Sequence, residues 1–441
     1  MNSPYIPRHN PLTVMADGTI KQVNPFTGTQ VWTVPGRGNR PLSQPASNPV
    51  SLDESQRHRA CAFCSDRMLD TPPEKSRMVR DDGHWRILRG LVPEQLGETT
   101  AEFRRVPNLF EIVSYDYWRE NYDYKMDDAQ LAHRECYEAS DVGREHVLKT
   151  VRTKLKAAGA NPDLPEAELL ELGDVFFGGG HDLILGRRHF VDDATNTSQL
   201  ASAGTLSVDE HAAFIRFTVD SMAQLYEHNR YARYVAVFQN WLKPAGASFD
   251  HLHKQLVALD ERGVQTELEV AHLRENFNMY NEWAVDYASY HNLIIAENQH
   301  AVCFAGFGHR YPTIEVFSKS AVAEPWLQDE SEIKAMSDLL HACHAATGPD
   351  VPSNEEWHHK PVDLDVPMPW RVMIKWRVST LAGFEGGTKI YVNTLSPENI
   401  RDRVTKAMFK LRDEGKIAQD ITIGPECELT PNPLRYNPLL P

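Results

Sequence analysis

The chain has 441 residues, enough for two to three domain-sized units or one large two-lobed body with a substantial core. Hydrophobic residues make up 41% and charged residues 24%, with 9 tryptophans, which excludes a disordered or collagen-like polypeptide. A net charge of -15 argues against a general nucleic-acid or anionic-membrane binder, and an anionic ligand would have to be held locally.

The opening MNSPYIPRHNPLTV lacks the apolar core of a signal peptide, and no run of about 18 apolar residues follows anywhere, so a soluble cytoplasmic protein is expected. Residues 1–60 are rich in Pro, Asn and Gly, with one strand-like run, TQVWTV. CAFCSDRMLDTPPE reads as a loop by its Pro and Asp content, and HWRIL as a strand. Residues 115–178 form a charged, largely helical segment, clearest in DVGREHVLKTVRTKLKAAGA. GGGHDLILGRRHF then returns to strand behind a glycine-rich entry.

In SVDEHAAFIRFTVDSMAQLYEHN, Ser207 and Glu210 form a capping box, and Ile215, Val219, Met222 and Tyr226 form an apolar stripe, which predicts a helix. The strand YVAVFQ follows, then a loop leading to DHLHKQLVAL. There His251, His253 and Gln255 fall at every second position; in an extended chain they share one face, while Leu252 and Leu256 take the other. A half-exposed strand with a wet face would give the same pattern.

The second half repeats the grammar. NLIIAE, AVCFAGF, TIEVFSK, WRVMIKWRV and KIYVNTL read as strands, and ESEIKAMSDLLHACHAA as a helix. SPENIRDRVTKAMFKLRDEG is a second helix, with Ser396 as N-cap, Pro397 in the first turn and Gly415 as its stop. An α+β protein of two successive units of antiparallel strands and helices is predicted, possible products of an internal duplication. The divisions fall at 1–262, 263–415 and a Pro-rich tail, 416–441, read as an extended arm on a partner subunit.

Six cysteines in so long a chain do not make a disulfide framework: Cys136, Cys303, Cys343 and Cys427 are scattered, while Cys61 and Cys64 form C-x-x-C. A redox dithiol would sit where a strand enters a helix in a thioredoxin-like unit, and nothing like that surrounds these residues, so a metal is favoured. His189 and His251 could complete a tetrahedral site, though from spacing alone the reading as surface histidines near strand ends is the stronger one. His133, His358 and His359 stand in polar context and read as surface residues. His253 is a candidate nucleophile, since an imidazole with one nitrogen tied to a carbonyl keeps the other lone pair free. Gln255 could hydrogen-bond phosphoryl oxygens, PAGAS with Ser248 could cradle a phosphate, and Arg37 and Arg40 could clamp one.

Together these pieces resemble the galactose-1-phosphate uridylyltransferase branch of the histidine-triad superfamily. The matches run in order along most of the chain: NPFTGTQVWTVPGRGNRP, CAFCSDRMLDTPPE, VPNLF, GGHDLILGRRH, FQNWLKPAGASFDHLHKQ, ENQHAVCFAGFGHRYPTIEVFSK and AGFEGGTKIYVNTLSPE, the last on the hexose side. The resemblance implies two histidine-triad-like lobes, with structural zinc on Cys61, Cys64, His189 and His251, His253 as nucleophile and Gln255 as phosphoryl-oxygen donor. It further implies nucleotide-side contacts from Asn108 and Asn240, a phosphate contact from Ser248, and a sugar-phosphate clamp from Arg37 and Arg40. The implied activity is ping-pong nucleotidyl transfer between a nucleotide sugar and a sugar 1-phosphate or inorganic phosphate, in a homodimer. The alternatives are a nucleotide-binding protein of the same fold without turnover and a dinucleoside polyphosphate phosphorylase or hydrolase.

The chain also departs from that pattern. It has WLKPAG where the family has a Gly-containing run, and H-L-H-K-Q in place of H-P-H-G-Q, so Lys243 and Lys254 are expected to add charge near the site. In the second lobe Pro369 and Arg371 stand where relatives carry H-x-H, and no second metal site is expected. Segment 115–178 is longer than the family leads one to expect, consistent with a lid or dimer element.

Overall fold

Strand runs from both halves of the chain join edge to edge. The computed structural model describes residues 10–36, 42 and 48–439. Its large antiparallel sheet has twelve strands. From one edge the order is His84–Arg89, Ser76–Asp81, Ala101–Pro107, His181–Gly186, His253–Leu259 and Tyr234–Trp241. It continues through Ser353–His358, Arg371–Trp376, Thr313–Ser318, Ala301–Ala305 and Ile294–Glu297 to Thr422–Ile423. Read inward from either side, the five strands nearest the junction follow the same chain order, with a long helix inserted at the same point: Val208–His228 in the first half and Glu330–Thr347 in the second. The α+β architecture is therefore a repeated topology fused into one sheet. A four-stranded sheet, Leu12–Val14, Ile20–Val23, Gln30–Thr33 and Ile390–Asn393, ties the N-terminal part to the second half.

The two long helices pack together on one face. The first begins as its sequence dictates: Ser207 Oγ accepts from the Glu210 N–H at 3.2 Å, and Glu210 Oε2 accepts from the Ser207 N–H at 2.8 Å. Such a cap stabilises a helix by about 1 kcal/mol. Ile215, Val219 and Met222 are buried, and the Tyr226 hydroxyl accepts from the Val235 N–H at 2.8 Å. Segment 115–178 is helical, with Tyr115–Tyr122, Asp128–Ala139, Asp141–Ala157, Glu166–Leu172 and Val175–Gly178. It drives Trp118, Tyr137, Val147, Leu169 and Phe176 into the core. Among the described residues no helix is long and apolar enough to cross a membrane.

Several local expectations are corrected. The histidine strand begins at His253, with His251 just before it. Ser353–His358 is a central strand that its polar sequence conceals. The tail docks on its own chain: Thr422–Ile423 pairs with the Ile294–Glu297 strand, and Leu434 and Tyr436 are buried. His359 is a buried residue, stacked on Tyr234 at 4.5 Å between ring centroids and bonded to the Val235 carbonyl. His133 and His358 are half-buried, the former edge-on to Tyr137 and Phe177.

Candidate active site and metal centre

The C-x-x-C loop folds against the ends of two strands, where His189 follows His181–Gly186 and His251 precedes His253–Leu259. The ligand atoms of Cys61, Cys64, His189 and His251 lie within 4.8 Å of one another. The sulfurs are 3.8 Å apart, and the two Nδ1 atoms 3.2 Å. Cys61 Sγ is 3.4 Å from each Nδ1, and Cys64 Sγ is 3.6 Å and 3.9 Å from those of His189 and His251. A tetrahedral ion bonded at about 2.3 Å to sulfur and about 2.05 Å to nitrogen sets edges of roughly 3.8 Å for S–S, 3.6 Å for S–N and 3.3 Å for N–N. The six separations therefore fit one tetrahedral ion. His251 Nε2 lies 2.7 Å from the Gly186 carbonyl, and donating there leaves Nδ1 as the ligand atom.

His253 is anchored next to this cluster. Its Nδ1–H donates to the His251 carbonyl at 2.8 Å, which leaves the Nε2 lone pair uncommitted. Burial lowers its pKa below the ordinary imidazole value, so the ring is neutral near pH 7. Phe63, from inside C-x-x-C, packs on the His253 ring at 5.6 Å and on Phe249 at 4.4 Å. The C-x-x-C loop thus braces the imidazole. Phe63 also closes a small apolar cluster of Val106, Leu183 and Leu185 on this face of the sheet.

Gln255 follows two residues on, and its partner was not legible in the sequence. The Ile112 N–H donates to His181 Nδ1 at 3.0 Å, so His181 Nε2 carries the hydrogen and donates to Gln255 Oε1 at 3.1 Å. That bond turns the Gln255 NH2 away from His181. Asn108 Nδ2 lies 3.0 Å from the same Nε2. His181 stands in GGHDLIL, and a lone histidine at a strand start carries no signal by itself.

The remaining expected residues divide. Asn240 is half-buried, its Oδ1 accepting from Asn354 Nδ2 at 2.7 Å. Ser248 is exposed on the loop before His253. That loop turns through Gly246 at φ +89° and through Leu242 at φ 65°, ψ 156°, a region nearly reserved for glycine and a reservoir of strain beside the site. Arg37 and Arg40 lie outside the described residues. Lys243 is exposed on the same loop, but Lys254 does not face the site. The two-residue period sends it through the sheet, where its Nζ meets Glu355 at 2.6 Å and lies over the Phe214 ring. Burial alone would raise the Glu355 carboxyl; Lys254 and His344 overrule it and hold it well below the ordinary carboxylate range.

A cavity of about 550 Å³ opens over the junction of the two halves, lined by Ala236, Phe238, Asn240, Asn354, Glu356 and Arg377 among others. Phe238 pairs directly with Gln255, so this groove abuts the face that carries Gln255 and His253. A neutral imidazole, an anchored glutamine amide and a groove thus stand on one face.

The family model described as Domain of unknown function (DUF4921) matches residues 15–436. The chain belongs to the DUF4921 family. This DUF4921 protein is 20% identical over 385 residues to the ADP-glucose phosphorylase of Arabidopsis thaliana, covering 86% of the chain and 90% of that relative. The crystal structure of the Arabidopsis thaliana ADP-glucose phosphorylase with bound ADP-glucose matches at a TM-score of 0.58 and 20% identity, over 88% of this chain and 98% of that one. A GalT-like protein from Arabidopsis thaliana matches at 0.53 and 19% identity, over 79% and 93%. These likenesses establish the shared fold. The motif resemblance to the uridylyltransferase-like branch, which includes nucleotide-sugar phosphorylases, leads to the same relatives as these matches along most of the DUF4921 chain.

Proposed function

We propose that the protein is a nucleotidyltransferase that moves a nucleoside monophosphate from a nucleotide sugar to a sugar 1-phosphate or inorganic phosphate through His253. The observation that carries this reading is the bond from His253 Nδ1 to the His251 carbonyl, which leaves Nε2 as an available nucleophile on the groove face. Nε2 attacks the α-phosphorus, forming a P–N bond as the bond to the bridging oxygen breaks and sugar 1-phosphate departs. A phosphate oxygen of the acceptor then attacks the same phosphorus, the P–N bond breaks and neutral imidazole returns. Gln255 donates to a non-bridging oxygen as charge gathers there, with its amide turned by His181. Asn108, Asn240 and Ser248 contact the substrate, and Arg37 and Arg40 clamp its phosphates.

The match to a protein named ADP-glucose phosphorylase supports nucleotide sugars as donors and phosphate as an acceptor. Zinc is held by Cys61, Cys64, His189 and His251, a soft N2S2 set in which four protein ligands leave no position for substrate, so its role is structural. Two successive half-reactions predict that labelled sugar 1-phosphate exchanges into its nucleotide sugar with no second acceptor present. Exchange that requires a second acceptor would overturn the covalent route.

A further inference from the structure

We infer that Arg310 and Arg377 form an anion subsite that holds the phosphate group of the acceptor. The assignment to the acceptor rests on the transfer reaction proposed above; the anion site itself rests on geometry. A second cavity of about 550 Å³ is lined by Pro244, Arg310, Tyr311, Arg377, Ser379 and Thr380 among others. It shares Arg377 with the groove beside Gln255, and Pro244 belongs to the loop that leads to His253.

The two arginines differ from the other cations nearby. In a chain of net charge -15, Arg371 is neutralised by Glu269, Lys375 by Glu356 and Lys254 by Glu355. Among the described residues no carboxylate pairs with Arg310 or Arg377; Glu356, which lines the adjoining groove, is taken by Lys375 at 2.5 Å. Tyr311 holds both guanidiniums at its ring, Arg310 at 5.4 Å and Arg377 at 4.6 Å from the centroid. Arg377 is further fixed by donating to Asn354 Oδ1 at 2.6 Å, yet its Nε is buried with no partner.

Two guanidiniums at one ring, Arg310 exposed and also over Tyr391, stand without a carboxylate, and the buried Arg377 donor without an acceptor is costly. An anion between them answers the charges and the donor. Guanidinium forks match phosphate oxygens bidentately, and the hydroxyls of Ser379 and Thr380 add donors, so a phosphate dianion is the class of ligand that fits. A neutral hexose would leave both charges unanswered. Asn354, bonded to both Arg377 and Asn240, links this subsite to the groove.

The test is calorimetric titration of inorganic phosphate, glucose 1-phosphate and glucose into the wild type, R310Q, R377Q and the double variant. Each single change is expected to weaken phosphate binding about tenfold and the double about a hundredfold, with no heat from glucose. Equal losses for both phosphates identify the shared group as the ligand; binding of glucose 1-phosphate alone identifies a sugar phosphate as its source. If R377Q does not fold, R377K, which keeps the charge and loses the fork, is expected to show about a tenfold loss. Unchanged affinities in folded variants, or a wild type that binds neither phosphate yet accepts a nucleotidyl group, would overturn the subsite. A wild type that binds phosphate through these arginines but never accepts a nucleotidyl group would leave the subsite standing and remove the transfer reading.

Discussion

Equivalent strands in the two halves of the large sheet begin with opposite solutions to a buried polar group. His253–Leu259 starts with a neutral imidazole, one nitrogen anchored and the other uncommitted, next to a four-ligand cluster. Arg371–Trp376 starts with Arg371, whose guanidinium meets the Glu269 carboxylate at 2.5 Å and lies over the rings of Phe26, Tyr280 and Phe317. A charge neutralised by a neighbour and roofed by aromatic rings holds structure; an anchored neutral ring with its second nitrogen uncommitted is the one proposed for chemistry. Two strands equivalent in the repeated topology thus carry different side chains at one position.

The largest effect that would sharpen this contrast is on the first half's cluster. Cys61→Ser should release the metal and lower stability by on the order of 4 kcal/mol or more, followed by metal analysis and thermal unfolding. Retained metal would contradict the ligand set. In the second half, Glu269→Ala strands Arg371 in the core and should cost about 3–5 kcal/mol, read by denaturant unfolding, while transfer per folded molecule is retained. The pair also predicts an acid limit. Burial pushes the Glu269 carboxyl up, but Arg371 and His358 outweigh it and leave its pKa lowered. Its contribution is therefore complete above the ordinary glutamate value of about 4.3 and is lost as pH falls through the lowered folded value. A stability profile of Glu269→Gln that keeps the wild-type acid slope would argue against this pair as its source.

Smaller effects concern the groove face. Gln255→Leu should slow transfer about a hundredfold, equivalent to about 2.7 kcal/mol, with donor KM little changed. His181→Phe keeps a ring but loses the bond that turns Gln255, and should cost about tenfold in kcat. The two losses should not add, because both act through one amide. Additive losses in the double variant would separate His181 from Gln255.

Legibility in the sequence followed the range of the interactions. Ser207 with Glu210 and Ser396 with Pro397 state their roles within a few residues, and the caps stand where those cues put them; Cys61 and Cys64 needed His189 and His251 from far along the chain to make a cluster. The Ser353–His358 strand was hidden because its interior charges, Glu355 and Glu356, are answered by Lys254 and Lys375 from other strands. His359 was read as surface because its acceptor, the Val235 carbonyl, lies on a distant strand. Lys254 seemed to enrich the site until the strand's alternation turned it through the sheet. The bond from His181 to Gln255 joins adjacent strands far apart in the chain, and no local pattern announces it.

The most direct measurement is intact-protein mass spectrometry after brief incubation with UDP-, ADP- and GDP-sugars, with His253→Ala in parallel. The account predicts an added nucleoside monophosphate on the wild type with one donor and none on the variant; the same adduct on His253→Ala, or no adduct from a wild type that turns over the donor, would contradict it.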